Sequence, residues 1–136
     1  LKFKNIDNEI INQGEIKIII DEKNLEISKS IFEINEVGEI SSEFNYYEKE
    51  GELIFNSKNV FLINNTKNLA RKFQINPKKT RGLKKIYFDL NKNIETGEVS
   101  ITNINFNEKN PEEENKKTYI IKNIQNLKAA LKKILT

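Results

Sequence analysis

A chain of 136 residues is long enough for one hydrophobic core and matches the commonest domain size of roughly 100–150 residues. Cys, His, Met and Trp are all absent, which excludes disulfides, thiol nucleophiles and the sulfur and imidazole ligands of ordinary zinc, copper and iron sites. The net charge of +3, from 23 basic and 20 acidic residues, is too balanced for a dedicated nucleic-acid binder, and only Arg71 and Arg81 are arginines.

The 22 Ile and 21 Asn, beside abundant Lys, match the output of an AT-rich genome, so no weight rests on their number. Missing cysteines fit an oxidising periplasm and a cytosol equally. No apolar run approaches the roughly 18–20 residues that span a bilayer. The chain opens on Leu1 without a signal-like segment, and the expectation is a soluble fragment of a larger protein.

In chain order, Glu15–Ile20 predicts a strand with Ile16, Ile18 and Ile20 on one face at period 2. Asp21–Asn24 is a polar turn, after which Leu25 and Ile27 resume the alternation. Phe32 and Ile34 begin another strand, and Val37-Gly38 offers a turn or bulge where a positive φ is free. Ile40, Ser42, Phe44 and Tyr46 then alternate with Ser41, Glu43 and Asn45. Glu48-Lys49-Glu50-Gly51 reads as a short hairpin loop, followed by Leu53 and Phe55 on one face and an apolar run over Val60–Ile63. With no helical crossover between them, these strands predict an antiparallel meander.

Asn64-Asn65-Thr66 caps a short helix over Lys67–Gln74, with Leu69, Ala70 and Phe73 inward, and Asn76-Pro77 is expected to end it. Lys78–Gly82 reads as a basic loop. A second hairpin has Ile86, Phe88 and Leu90 in alternation, a turn over Asn93–Gly97, and then Val99 and Ile101. Ile104 and Phe106 fall on the opposite parity, which predicts a bulge near Thr102–Asn103. Residues 108–118 hold Pro111 and a Glu triplet and read as a solvated loop with the composition of disorder. From Tyr119 to Leu135, Ile120, Ile124, Leu127, Leu131 and Ile134 recur at helical spacing. The expected fold is mainly β (α+β): an antiparallel β-meander over residues 1–107, as a curved open sheet or a sandwich. One short helix lies near 66–74, and a C-terminal amphipathic helix spans 119–135.

Nothing in this pattern assembles an active site, and the expectation is a non-enzyme without cofactor or metal. Glu48, Glu50 and Glu52 flank a hairpin tip and Glu112–Glu114 a polar loop, opposite to the partly buried setting that general acid–base catalysis requires. No His stands ready as a base for any Ser, no Gly-x-Ser-x-Gly elbow exists, and Ser28-Lys29-Ser30 falls in a strand or turn. The five glycines are scattered singly, without a phosphate cradle. Lys78–Lys85 could touch lipid headgroups or nucleic acid, but an exposed polar loop is the favoured reading. More informative is the apolar side of the meander. Ile16, Ile18, Ile20, Phe32, Ile34, Phe44, Tyr46, Leu53 and Phe55, with Leu25, Ile27 and Ile40, form a candidate apolar strip. It is either an ordinary closed core or an open trough for acyl chains.

The run Leu83–Ile104, with its alternation around Asn93-Ile94-Glu95-Thr96-Gly97, resembles the final hairpin of AsmA-like proteins. The variable loop after it, the short amphipathic segment Asn123–Leu127 and the strand-then-helix pattern of Leu53–Gln74 are similar to that family's carboxy-terminal region. About 55 residues carry the resemblance, through structural rather than chemical motifs. It implies a bacterial envelope protein at the periplasmic face of the inner membrane, whose β-trough carries phospholipid between membranes. The implied partners are phospholipid acyl chains and an envelope protein, with no nucleic acid and no transmembrane segment in this stretch. The alternative is a closed β-sandwich that serves as a protein-interaction or adhesion module.

Overall fold

Period-2 alternation becomes one dominant sheet. The computed structural model describes residues 2–4, 11–16, 18–20, 25–27, 29–108, 119–122 and 124–135. Its elements are β1 (Lys2–Lys4), β2 (Ile11–Glu15), β3 (Ile18–Ile20), β4 (Leu25–Ile27), β5 (Ser30–Ile34), β6 (Gly38–Lys49), β7 (Glu52–Ile63), α1 (Thr66–Phe73), α2 (Pro77–Thr80), β8 (Lys85–Asn93), β9 (Val99–Phe106), β10 (Tyr119–Ile121) and α3 (Ile124–Leu135). Eight strands form an open antiparallel sheet in the order β1-β2-β5-β6-β7-β8-β9-β10, and β3 pairs with β4 alone. The sheet does not close on itself. Of the two expected forms, the open sheet is the one adopted.

The β6–β7 hairpin, with two strands of 12 residues, is the spine. Its loop is the two residues Glu50 (φ 54) and Gly51 (φ 82) between the paired Lys49 and Glu52. Two positive φ values make the type I′ turn, whose twist matches that of the flanking strands. The β8–β9 loop is longer: Asn93 Oδ1 accepts from the backbone N–H groups of Glu95 (2.9 Å) and Thr96 (3.0 Å), and Gly97 N donates to Asn93 O (2.9 Å). The parity change beyond Ile101 is a bulge, with a register shift between Tyr87 and Asp89 and Asn103 at φ 52. Ile101 and Ile104 thereby both reach the core.

Between β7 and β8 the chain folds over one end of the sheet. Asn65 caps α1 by accepting from Asn68 N at 3.0 Å, and Leu69, Ala70 and Phe73 are buried, as the spacing predicts. Pro77 does not end this helix. Gln74, in the left-handed conformation (φ 55), ends it, and Pro77 sits at the start of α2, where its fixed φ and missing N–H are no cost. The expected basic loop is therefore part helix. It is anchored by Thr80, 1% exposed, whose hydroxyl lies 3.1 Å from Pro77 O and 3.3 Å from Thr66 O.

Three other expectations change. Gly38 does not supply a positive φ: Glu36 does (φ 58), in the turn closed by Val37 N donating to Ile34 O at 2.9 Å. Gly38 instead lets β6 approach β7, because a Cβ there would overlap the carbonyl oxygen of Leu62. Glu15–Ile20 is two strands, not one. The pairing shifts by one residue between Glu15–Ile31 and Ile18–Ile27, and β3–β4 forms a separate two-stranded arm with β4 beside β6. Tyr119–Ile121 is not the first turn of the terminal helix but a strand against β9, as its aromatic and β-branched residues favour, and α3 begins at Ile124. The 108–118 loop lies outside the described residues beyond Glu108.

The core sits where α1, α2 and α3 cover one end of one sheet face. Ile34, Phe61, Ile63, Ile86, Ile101 and Ile104 supply the sheet side; Leu69, Phe73, Ile75, Leu83 and Leu135 supply the cover. Val37 joins them from the β5–β6 turn, and its carbonyl accepts from Asn64 N (2.8 Å) and Asn65 N (3.0 Å). Burying these side chains is the main stabilising term, at about 1.5–3 kcal/mol for each large one.

Candidate functional site

The same sheet face continues past the helices toward the hairpin tips, where no helix among the described residues covers it. Register places Phe44 beside Ser57, Tyr46 beside Phe55 and Glu48 beside Leu53, with Leu90 beside Ser57 and Val99 beside Lys92 on the next strands. The Phe44 and Phe55 rings stack at 5.2 Å, and Tyr46 tilts against Phe55 at 5.0 Å. Tyr46 is 47% exposed and Leu53 43%. Aromatic pairs of this geometry contribute about 0.5–1.5 kcal/mol beyond area burial, so the stack is a set surface.

Four members of the expected strip, Phe44, Tyr46, Leu53 and Phe55, come together here. Phe32 and Ile34 lie on the same face at the other end, Phe32 beside Ile40 and Ile34 beside Gly38, and Ile34 belongs to the covered core. Ile16 is half-buried between β2 and β3. Positions 18 and 20 lie in the β3–β4 arm, opposite Ile27 and Leu25.

What separates the two apolar zones is polar. Ser42, Ser57 and Asn59 share the face with Phe44 and Phe61 and are buried. Ser42 Oγ donates to Asn59 Oδ1 at 2.6 Å; Asn59 Nδ2 donates to Ser57 Oγ (3.0 Å), Ser57 O (2.9 Å) and Phe88 O (3.3 Å). Among the described residues no buried side-chain polar atom lacks a partner. The alternation already carried this signal: Ser42 falls in file with Ile40 and Phe44, and Ser57 and Asn59 in file with Phe55 and Phe61. The opposite face is polar throughout its middle, where Asn56 Nδ2 donates to Asn91 Oδ1 (2.8 Å), Asn91 Nδ2 to Thr102 Oγ1 (3.1 Å) and Asn103 Nδ2 to Asp89 Oδ2 (2.7 Å).

β5 pairs with β6 only from Gly38 to Ser42, so Glu43–Lys49 is laddered to β7 alone; β4 lies beside β6 but is laddered to β3. Glu48, Glu50 and Glu52 are exposed around the tip, Glu52 accepting from Asn93 Nδ2. A concavity of about 610 Å³ beside the β5–β6 turn is lined by Gln13, Glu15, Glu33, Glu36 and Glu39, with Gln13 Nε2 donating to Glu33. No group of three Asp, Glu, His or Cys among the described residues is placed to hold a metal, and no described helix is long and apolar enough to cross a membrane. Ser30 is buried and Lys29 exposed; Ser28 and Glu112–Glu114 lie outside the described residues.

No protein-family model, curated protein or solved structure matches this chain.

Proposed function

We propose that this chain is a lipid-handling β-sheet segment of an AsmA-like bacterial envelope protein, in which the half of one sheet face beyond the helices receives phospholipid acyl chains. The observation that carries this reading is the Phe44–Phe55–Tyr46 stack, half-buried at its two Phe rings and exposed at Tyr46, with exposed Leu53 beside it, on a sheet that stays open. Acyl chains need no directional partner, only apolar surface, and that surface is held in place by the long β6–β7 ladder. The helices over the other end support a terminal role. A chain moving along the face toward α1 meets the polar Ser42–Asn59–Ser57 cluster and then the helical cover, so the apolar path ends inside this segment. The periplasmic face of the inner membrane, in contact with another envelope protein, is the setting the family resemblance implies.

A phospholipid with a diazirine in its acyl chain tests the reading. Crosslinks should map to residues 44–55, and their absence from that stretch would contradict it.

The second reading, a protein-interaction module, is favoured by the outer edge of Glu43–Lys49, which β4 lies beside without laddering to it. An extended partner strand could pair there by backbone hydrogen bonds. Strand addition would protect the amides of Phe44, Tyr46 and Glu48 from hydrogen exchange, which a bound acyl chain would not do.

A further inference from the structure

The molecule is electrically polarised along its strands. The 22 residues from Asn64 to Lys85 hold eight Lys or Arg and no Asp or Glu, and α3 adds three Lys and again no acid. Topology brings the first segment to one end, where β7 finishes and β8 starts, and the last turn of α3 reaches the same end, where Ile134 and Leu135 lie beside Lys79 and Arg81. Lys78, Lys79, Arg81 and Lys84 are exposed on the connection, and Lys132 and Lys133 on α3. The described acids at this end are Glu36, which lies 3.4 Å from Arg71, Glu108, and Glu15, Glu33 and Glu39 around the β5–β6 concavity, fewer than the exposed cations. Residues 109–118, which follow from this end, hold three Lys and three Glu and add no net charge. At the opposite end the hairpin tips carry Glu48, Glu50 and Glu52 against Lys49, and Glu95 and Glu98 against Lys92.

The basic end also has an apolar component. A groove of about 340 Å³ between the α2–β8 connection and the end of α3 brings Lys79 and Arg81 together with Phe106, Ile134 and Leu135. Phe106 is 38% exposed and Ile134 half-buried. We infer that the helical end is a docking surface for an anionic phospholipid bilayer, with lysines in the headgroup layer and Phe106 at the acyl boundary. Point-charge lysines attract a diffuse anionic surface. Specific nucleic-acid recognition would call for arginine forks or stacking aromatics, and Arg71 is already engaged by Glu36. The acidic tips are repelled by the same surface, so the bilayer selects one orientation and the apolar half of the sheet beyond the helices points away from it.

This inference does not depend on acyl-chain binding, because the two ends are altered by different variants. The test is flotation of the full 136-residue chain with vesicles of phosphatidylcholine alone, or with about one-third phosphatidylglycerol. Binding should require phosphatidylglycerol and fall as salt rises from about 0.1 M to about 0.5 M. The triple variant Lys78→Gln, Lys84→Gln, Lys132→Gln changes only exposed side chains and should bind about a hundredfold more weakly, at about fivefold per lysine. Glu48→Gln with Glu50→Gln should leave binding within about twofold of the parent, because those tips do not touch the bilayer. Equal flotation with both vesicle types, or a triple variant that binds like the parent, overturns the inference. So does displacement from the vesicles by duplex DNA at equal charge concentration. Circular dichroism of the triple variant should superpose on the parent; if it does not, Lys78→Gln alone, with its fivefold loss, decides.

Discussion

Replacing Gly38 with Ala adds a single methyl group where β6 lies directly against the β7 backbone at Leu62. A Cβ there would overlap the Leu62 carbonyl oxygen and lie 3.0 Å from its carbon and 3.2 Å from Ile63 Cα. All three are backbone atoms, so no side chain can swing aside and β7 itself must retreat, by about 1.5 Å to restore ordinary contact. That retreat strains bonds that meet at this corner: Ile63 N to Lys84 O (2.8 Å), and Asn64 N and Asn65 N to Val37 O (2.8 and 3.0 Å). Overpacking costs about 1–3 kcal/mol and each weakened bond up to about 1 kcal/mol, giving about 3 kcal/mol in total. For a chain of this length that is a fall in Tm of about 10 °C. Gly51→Ala is the comparison, since its φ of 82° has open space around it and carries conformational strain alone, about 1–2 kcal/mol. Thermal melts followed by circular dichroism separate the two. If Gly38→Ala melts no lower than Gly51→Ala, the close approach is not what glycine provides at position 38.

Asn65→Ala removes the acceptor for Asn68 N and should cost about 1 kcal/mol by urea denaturation, while Asn65→Asp should retain most of it. Asn59→Ala leaves the hydroxyls of Ser42 and Ser57 without their partner and should cost about 1–3 kcal/mol; adding Ser42→Ala should recover part of that loss, because both partners are then gone. An additive double mutant would mean that the polar cluster is not coupled.

Where local rules suffice, the fold was readable from the residues. Period 2 located the long hairpins, Asn65 with Leu69, Ala70 and Phe73 located α1, and the parity change between Ile101 and Ile104 located the bulge. Failures came where a residue's role is set by what lies beside it. Gly38 reads locally as a turn glycine, yet it is a point of contact with a strand more than 20 residues further along. Pro77 reads as a helix stop, but the left-handed Gln74 had already ended α1. Tyr119–Ile121 fits a helical period by residue type and becomes a strand only because β9 offers an edge. The candidate site was half legible. The alternation found Phe44, Tyr46, Leu53 and Phe55, but a sequence does not say that helices stop short of them. Nor does it say that Ser42, Ser57 and Asn59 would satisfy one another and divide the face in two.

The most direct test of acyl-chain binding is native mass spectrometry of the chain purified without detergent, beside Phe44→Asp and Phe55→Asp variants with confirmed folding. The expected result is phospholipid-sized adducts on the parent that vanish in both variants. A lipid-free parent spectrum, or adducts that survive a carboxylate at either ring position, would contradict the assignment of this face to lipid.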